Sequence, residues 1–415
     1  MRIALETLGT RGDVQPYLAL AVELMRRGHA VQLTAPQQFA GFAAAWSVPF
    51  AALPGEFLEL LDRPEGKAAV AGSRGFMGGL KLLGHIKPLM GRLLDAEWDA
   101  VRHFGPDLVL HHPKCLAAPH IAERLHIPSL LASPLPGFTP TSAFPSPLLP
   151  FGSLGPLNKV SHSVAPAAMS LLFGGQLSSW RKQLGLPRGP VARRPAATLY
   201  AYSRHVVPVP ADWSDDVFVS GYWFLDAPPD WRMPKDLATF LEAGDKPVYV
   251  GFGSMPGIDA VQLAQKVVDA LAIAGKRGIV ATGGGALRFE AAPPGHVHVL
   301  ASAPHDELFR HVSAALHHGG AGTTGASLRA GLPTVICPFL GDQPYWGRRV
   351  HALGVGPKPL DRRKLTAAVL ADAFRATDDG AMRARAEGLG RKIRSENGVA
   401  CAADVVERFG RPEAA

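Results

Sequence analysis

The sequence predicts an α/β protein made of two doubly wound parallel-sheet domains facing each other across a cleft. Three observations lead there. Short, almost wholly apolar runs alternate with amphipathic helical segments from the first residues, as expected for strands covered on both faces by helices. The alternation is interrupted once, by the polar, proline-rich DAPPDWRMP at 226–234, which reads as a linker. It then restarts with a second set of similar size. With 415 residues, the chain is long enough for two or three domains whose cores need neither disulfide nor metal.

The elements follow in order. RIALETL is a buried strand, and PYLALAVELMRRGH is a helix with Leu18, Ala21, Val22 and Met25 on one face. Gly28 stands where a helix C-cap is expected. AVQLTAP, PDLVLHH and IPSLLAS are further strands, with AAPHIAERLH a helix between the last two. After the linker, KPVYVGFGS is a strand and turn, and DAVQLAQKVVDALAIAG is a helix. RGIVATGGG, HVHVLAS, AALHH and PTVICPF continue as strands, with short helices at HDELFRHV and GTTGASLRAG. The expected domains are 1–225 and 226–395. A helical tail, 396–415, is set to cross back to the first domain.

Composition excludes several classes. Three scattered cysteines, Cys115, Cys337 and Cys401, form no disulfide framework and no zinc knuckle, and they fit a reducing cytoplasm. The N-terminus lacks a signal-peptide layout, because its apolar run is short and holds Glu6. The net charge of +8 is spread over both halves with no run of five basic residues. That argues against a nucleic-acid groove and allows anionic small molecules or a membrane surface. Between Leu125 and Trp180 the only charged residue is Lys159, yet nine prolines rule out a lipid-spanning helix. This segment reads as irregular, apolar loop packed against protein.

Ligands in such sheets bind beyond the C-terminal strand ends. In LHHGGAGTTGASLRAG (316–331), a strand ends at His317–His318 and a helix opens near Gly322–Thr323. Gly319, Gly320 and Gly322 let backbone N–H groups approach a phosphate, and the helix dipole favours its charge. The same turn also serves plain helix–sheet packing, and its literal G-x-G-x-x-G is a weak dinucleotide signal this late in the chain. Asp342 and Gln343 sit past the next strand and suit sugar hydroxyls, or else cap a turn. Gly253–Ser254 offers a second phosphate contact or a simple turn. In the first domain, Arg11, Gly12 and Asp13 lie between the first strand and helix. Asp13 is either a helix cap or a general base. His111, ending another strand, has no third metal ligand at useful spacing and could lie near Asp13.

Taken together, these strings resemble family-1 glycosyltransferases of the GT-B fold. They are most like the bacterial and fungal branch of sterol glucosyltransferases and of glycopeptide and macrolide glycosyltransferases. The strings are GTRGDVQPYLALAVELMRRGHAV, VSGYWF, GFGSM, APHDELF, HHGGAGTT and PFLGDQPYWGRRVHALGVGP. The resemblance implies two Rossmann-like domains, the first binding an acceptor and the second a nucleotide-sugar donor. It assigns His317, Gly319, Gly320, Gly322, Thr323 and Ser254 to the donor diphosphate, Asp342 and Gln343 to the sugar, and Asp13 to catalysis. Plant relatives stack a tryptophan on the base at the position of Ser302, so base recognition here falls to the stretch from Ser302 to His305. Plant relatives also use a histidine base in the first loop. No histidine precedes His29 here, leaving the role to Asp13.

The implied activity is inverting transfer of a hexose, from UDP-glucose or a dTDP-sugar, to a hydroxyl of a bulky hydrophobic acceptor such as a sterol, macrolide or polyphenol. No metal or cofactor is expected, and the Leu125–Trp180 segment, with the Gly- and Leu-rich 57–92 stretch, would wall the acceptor pocket. A cytoplasmic monomer or weak homodimer, peripheral to the membrane at most, fits this reading. The alternatives are a membrane-associated lipid-intermediate glycosyltransferase, a nucleotide-sugar epimerase of the same fold, an NAD-dependent reductase and a non-catalytic activator protein.

Overall fold

Seven strands make the first sheet: β1 (Arg2–Glu6), β2 (Ala30–Pro36), β3 (Phe50–Leu53), β4 (Leu108–His111), β5 (Ser129–Ser133), β6 (Ala197–Tyr200) and β7 (Val217–Val219). All pairings are parallel, in the order β3-β2-β1-β4-β5-β6-β7. The computed structural model describes residues 1–56, 75–191, 194–228, 230–253, 255 and 259–410, and side chains in the helix beginning at Gly75 from residue 88 onward. The chain divides into two compact units. One holds Met1–Arg204, Pro208–Leu225 and the chain from Asn397, the other His205–Val207 and Asp226–Glu396.

The helices of the first unit are α1 (Arg11–Arg26), α2 (Gly75–Phe104), α3 (Ala118–Leu125) and α4 (Val164–Gln183), with shorter turns between them. Helix α1 starts where Thr10 takes the N-cap and ends where Gly28, at φ +86°, turns the chain back. It buries Leu18, Leu20 and Leu24 against Ile3, Leu5, Val31 and Leu33. The opposite face of the sheet, with Ala4, Leu8 and Val109, is covered by Leu93, Leu94 and Val101 of α2 and by Phe173 and Trp180 of α4. Strands β3, β6 and β7 go beyond the sequence reading. Each has three or four residues, too few for a periodic signal.

The Leu125–Trp180 segment corrects its expectation. Beyond the expected strand IPSLLAS, which forms β5, it is not loop throughout, since α4 begins at Val164. Pro166 falls in the first turn of α4, where a helix tolerates proline because that N–H has no intrahelical partner. Nor is the segment packed wholly against protein, as the exposure of its apolar residues makes plain below. Of the 57–92 stretch, 57–74 lies outside the described residues.

The second unit repeats the device with five parallel strands, β8 (Val248–Gly251), β9 (Gly278–Ala281), β10 (Val297–Leu300), β11 (Ala314–His317) and β12 (Thr334–Ile336), in the order β10-β9-β8-β11-β12. Its main helices are α5 (Ala260–Ala274), α6 (Ala321–Arg329), α7 (Gln343–Ala352), α8 (Ala367–Ala376) and α9 (Gly380–Ser395). The core gathers Val248, Val250, Val267, Leu271, Leu316, Val335 and Phe374. The last helix, α10 (Gly398–Gly410), belongs to the first unit, where Ala402, Ala403 and Val406 join the α1 core. Arg27, just past α1, reaches Asp404 at 2.6 Å and Glu407 at 3.3 Å.

One polar pair lies inside the first core. Glu6 and Glu97 are fully buried beside Cys115, their ligand-type atoms within 4.8 Å of one another. Burial pushes both carboxyls well above the usual range and raises the Cys115 thiol, so the pair holds a proton. A carboxyl raised on folding binds its proton more tightly in the folded chain. Its contribution is present in acid and is lost as pH rises beyond the unfolded value of 4.5. Glu97→Gln keeps the hydrogen-bonding shape without a titrating proton. Its melting temperature, measured against the parent, should therefore rise between about pH 5 and about pH 8, by the equivalent of roughly 1–2 kcal/mol. Parallel pH profiles for the two proteins would show that the pair does not titrate.

Candidate functional site

Each sheet reverses its strand order beside its first strand: between β1 and β4 in the first unit, and between β8 and β11 in the second. Crevices open at such points, beyond the C-terminal strand ends. The predicted residues fall at both.

In the first unit, Asp13 is the third residue of α1, three after the N-cap Thr10. The Thr10 N–H donates to Asp13 Oδ2 at 2.8 Å, closing a capping box. The other oxygen, Oδ1, takes Lys114 Nζ at 2.9 Å and lies 3.4 Å from His112 Nε2. Asp13 thus serves as a cap and keeps a second oxygen turned to its neighbours. Gly9 permits this closeness: at φ +142°, a Cβ there would sit 2.1 Å from Asp13 Oδ2 and 2.8 Å from Lys114 Nζ.

Burial pushes the Asp13 carboxyl up, but Lys114 and His112, with the hydrogen bonds from Lys114 and Thr10, outweigh it and hold the group below 3.8. His112 itself is lowered to about 3 by burial, so it is neutral at neutral pH and Lys114 supplies the charge. Its tautomer follows from its contacts. Nδ1 accepts the Lys114 backbone N–H at 3.2 Å, which leaves the ring proton on Nε2, facing Asp13. His112 therefore braces Asp13 and cannot take a proton from a substrate.

His111 is the residue expected near Asp13, and the structure puts its neighbour there instead. His111 is still in the ladder, paired with Glu6, and its ring is buried, lowered to about 4. The chain turns at His112, which swings that side chain to the crevice. Arg11 also points elsewhere: Nε donates to Gln15 at 3.1 Å and its guanidinium lies 4.8 Å over the Phe42 ring. Gly12 sits in the first turn of α1 with room for a side chain, so no steric demand explains it.

In the second unit, β11 ends at His317 and α6 starts at Ala321 with Gly320 as N-cap. The N–H of Thr324 is the first to bond back, to Gly320 O at 2.9 Å. Those of Ala321, Gly322 and Thr323 precede the helical ladder, and Gly322 is exposed. The first turn holds no acidic residue. Gly319, at φ +91°, turns the chain where a Cβ would sit 2.6 Å from Ile336 Cγ2. The result is a helix N-terminus whose first backbone amides are left without helical partners, an arrangement that suits an anion.

His317 does not reach it. The side chain is fully buried, Nδ1 accepts the Gly319 N–H at 3.0 Å and Nε2 lies 3.5 Å from Ser327 Oγ. Burial holds it neutral. His318, next in the chain, is partly exposed, and its Nε2 would be 2.6 Å from a Cβ on Gly320. Gln343 is likewise occupied. Its Oε1 accepts the N–H groups of Phe339 and Leu340 at 2.7 and 3.1 Å, and it is 4% exposed. That oxygen braces the turn, while Nε2 donates to Met255 Sδ at 3.3 Å. Asp342, half-buried, caps α7 and accepts Trp346 Nε1 at 2.7 Å on Oδ2. Ser302 is exposed past β10, and His305 stacks on Phe309 at 4.6 Å. Ser254 lies outside the described residues.

His112, Lys114 and His318 were not singled out from the sequence. The doubled histidines in HHPKC and HHGG were the available signal.

Comparison with known proteins agrees with this architecture. The glycosyltransferase family 28 N-terminal domain matches residues 3–145, and the erythromycin biosynthesis protein CIII-like C-terminal domain matches residues 265–409. The sterol 3-beta-glucosyltransferase UGT80A2 of Arabidopsis thaliana is 34% identical over 96% of this chain. The sterol 3-beta-glucosyltransferase of Emericella nidulans is 36% identical over 98%. The chain spans 64% of the first relative's length and 30% of the second's. Among solved structures, the kitacinnamycin glycotransferase matches with a TM-score of 0.73 at 21% identity, over 99% of each chain. The calicheamicin glycosyltransferase CalG4 matches at 0.71 and 22%, over 100% of this chain and 99% of its own. VinC, solved with dTDP, matches at 0.71 and 16%, over 99% of each. The chain thus has the fold of the GT-B glycosyltransferases, its N-terminal part matching a family 28 N-terminal domain and its C-terminal part an erythromycin biosynthesis protein CIII-like domain.

Proposed function

We propose that the chain is an inverting hexosyltransferase. It moves a hexose from a nucleotide sugar, UDP-glucose first and a dTDP-sugar second, to a hydroxyl of a bulky hydrophobic acceptor, a sterol first. The first unit binds the acceptor and the second the donor. The observation that carries this is the pairing of chemistries at the two strand-order reversals: an ionised carboxylate braced by Lys114 and His112 in one unit, and an amide-lined helix terminus free of acid in the other. The sterol glucosyltransferase relatives support the acceptor class, and the dTDP complex of VinC supports a pyrimidine nucleoside diphosphate.

In the reaction, the acceptor oxygen forms a bond to the anomeric carbon from the face opposite the nucleotide, and its proton passes to Asp13. The bond to the diphosphate breaks as this one forms. The amides opening α6 take the charge left on the diphosphate, with His318 beside them. No metal is needed for this step, because the dipole and amides supply the stabilisation. A carboxylate held below 3.8 is a weak base, so proton transfer must run with C–O bond formation rather than ahead of it. A lipid-linked acceptor is the second reading, favoured by the exposed apolar surface described below.

Asp13→Asn should lower turnover by roughly 10²–10⁴ while nucleotide binding is retained. Near-parental turnover would remove Asp13 from the chemistry. Lys114→Met takes away the charge that depresses Asp13. The acid limb of the kcat/KM profile should then move up by about one pH unit, since Asp13 now protonates at higher pH. An unmoved limb would mean Asp13 does not set it. UDP, dTDP and NAD, added separately, should give melting shifts for a pyrimidine diphosphate and none for NAD, unaffected by EDTA. A shift with NAD alone would sink the transferase reading.

A further inference from the structure

We propose that the Leu148–Leu172 face of the first unit docks on an anionic lipid bilayer. Eight of the eleven exposed large hydrophobic side chains among the described residues lie in this stretch. Leu171 is 87% exposed, Val160 63%, Leu157 61% and Val164 49%. Isolated surface leucines are ordinary, but a run of this kind marks an interaction site.

The pattern is that of a helix lying on a surface. Helix α4 turns Phe173, Leu177 and Trp180 into the core of the unit, and Trp180 Nε1 donates to Asp95 at 2.9 Å. Its first half buries nothing: no residue from Val164 to Leu172 is buried. Val164, Ala168 and Leu171 follow each other at spacings of four and three, which puts them on one stripe. Leu157 and Val160 extend it from the short helical turn before α4. No helix of the described residues is long and apolar enough to cross a membrane. The face would therefore lie in the interface, its apolar side chains at the headgroup–acyl boundary.

Charge selects the partner. From Arg124 to Ala211 the sequence holds no Asp or Glu, in a chain that has 35 of them. The cations in the same stretch include Lys159, Lys182 and Arg188, all exposed. Lys159 sits between Leu157 and Val160, where its stem can follow the apolar surface and its ammonium meet a phosphate headgroup. A protein interface would carry a polar rim of mixed charge. Asp212, from outside the stretch, is tied up by the Thr141 and Ser142 hydroxyls and the Ser142 N–H, and an apolar stripe with no acid of its own and scattered cations matches an anionic bilayer. The face adds to the proposed function the phase from which a hydrophobic acceptor is drawn, but lipid binding itself does not depend on that reading.

The test is sedimentation of the full chain with vesicles, without sterol, acceptor or nucleotide. Phosphatidylcholine vesicles containing phosphatidylglycerol should carry the protein down, more so as phosphatidylglycerol increases and less so as salt rises. The double variant Val160→Glu/Leu171→Glu should lose binding by about a hundredfold, and Leu171→Ser by about tenfold. Both side chains are exposed, so melting temperatures should stay near the parent's. Absence of binding to either vesicle, or equal binding by parent and double variant, would overturn the proposal. So would a concentration-dependent dimer of the parent that the double variant turns into monomer, which would give the face to a second copy. Loss of sugar transfer with vesicle binding intact would count against the enzyme reading alone.

Discussion

The reversal of strand order beside β1 and β8 is the constraint on which the rest depends. In a parallel sheet every strand is followed by a crossover. Where the order reverses, two crossovers leave in opposite directions and no helix covers the gap. Two loop ends and one helix N-terminus are left facing it. In the first unit these are the Gly9–Thr10 turn, the His112–Lys114 loop and the start of α1. In the second they are the Phe252–Gly253 end, the His318–Gly320 turn and the start of α6. The same backbone device is used in opposite senses. The start of α1 is satisfied from within, because Asp13 brings its own anion to the positive end of the helix. The start of α6 has no acid in its first turn and presents its amides outward. One terminus holds a carboxylate in place, and the other is ready for an anion from elsewhere.

Burial settles how the charges are shared. The rings of His111, His112, His317 and His318 are all driven toward neutrality because desolvation outweighs their partners. Histidine cations therefore contribute little at either crevice. Lys114, partly exposed, is the cation that keeps Asp13 ionised. At α6 the first-turn amides are fixed by the backbone, so their dipoles are already oriented and need no protonation event to act.

The two doubled histidines show what the sequence could and could not say. HHPKC and HHGG both mark a strand end, and the strand, turn and helix around each were legible from apolar runs and glycine. Which histidine of each pair turns off the sheet was not. The first of each pair remains in the ladder, His111 beside Glu6 and His317 beside Gly251, and is buried. The second leaves it and turns to the crevice. A strand alternates its side chains with a period of two, so an error of one residue in where pairing stops moves the role from one histidine to the next. The same limit affected Gln343, whose amide oxygen accepts from Phe339 and Leu340 and whose nitrogen donates to Met255, contacts that no pattern of residue types reveals.

The charge-poor composition and the tail helix meet at α1. Asp13 sits at one end of that helix, and its position is only as fixed as the helix axis. The other end is clamped by the last segment of the chain. Arg27 pairs with Asp404 and Glu407, His29 Nε2 lies 2.9 Å from Glu407, and Ala402, Ala403 and Val406 pack into the α1 core. An apolar contact alone would let α1 slide along its neighbour, since dispersion has little direction. The ion-paired cluster adds direction at the end of the helix opposite Asp13. Arg27, Asp404 and Glu407 thus hold the helix whose first turn carries the Asp13 carboxylate.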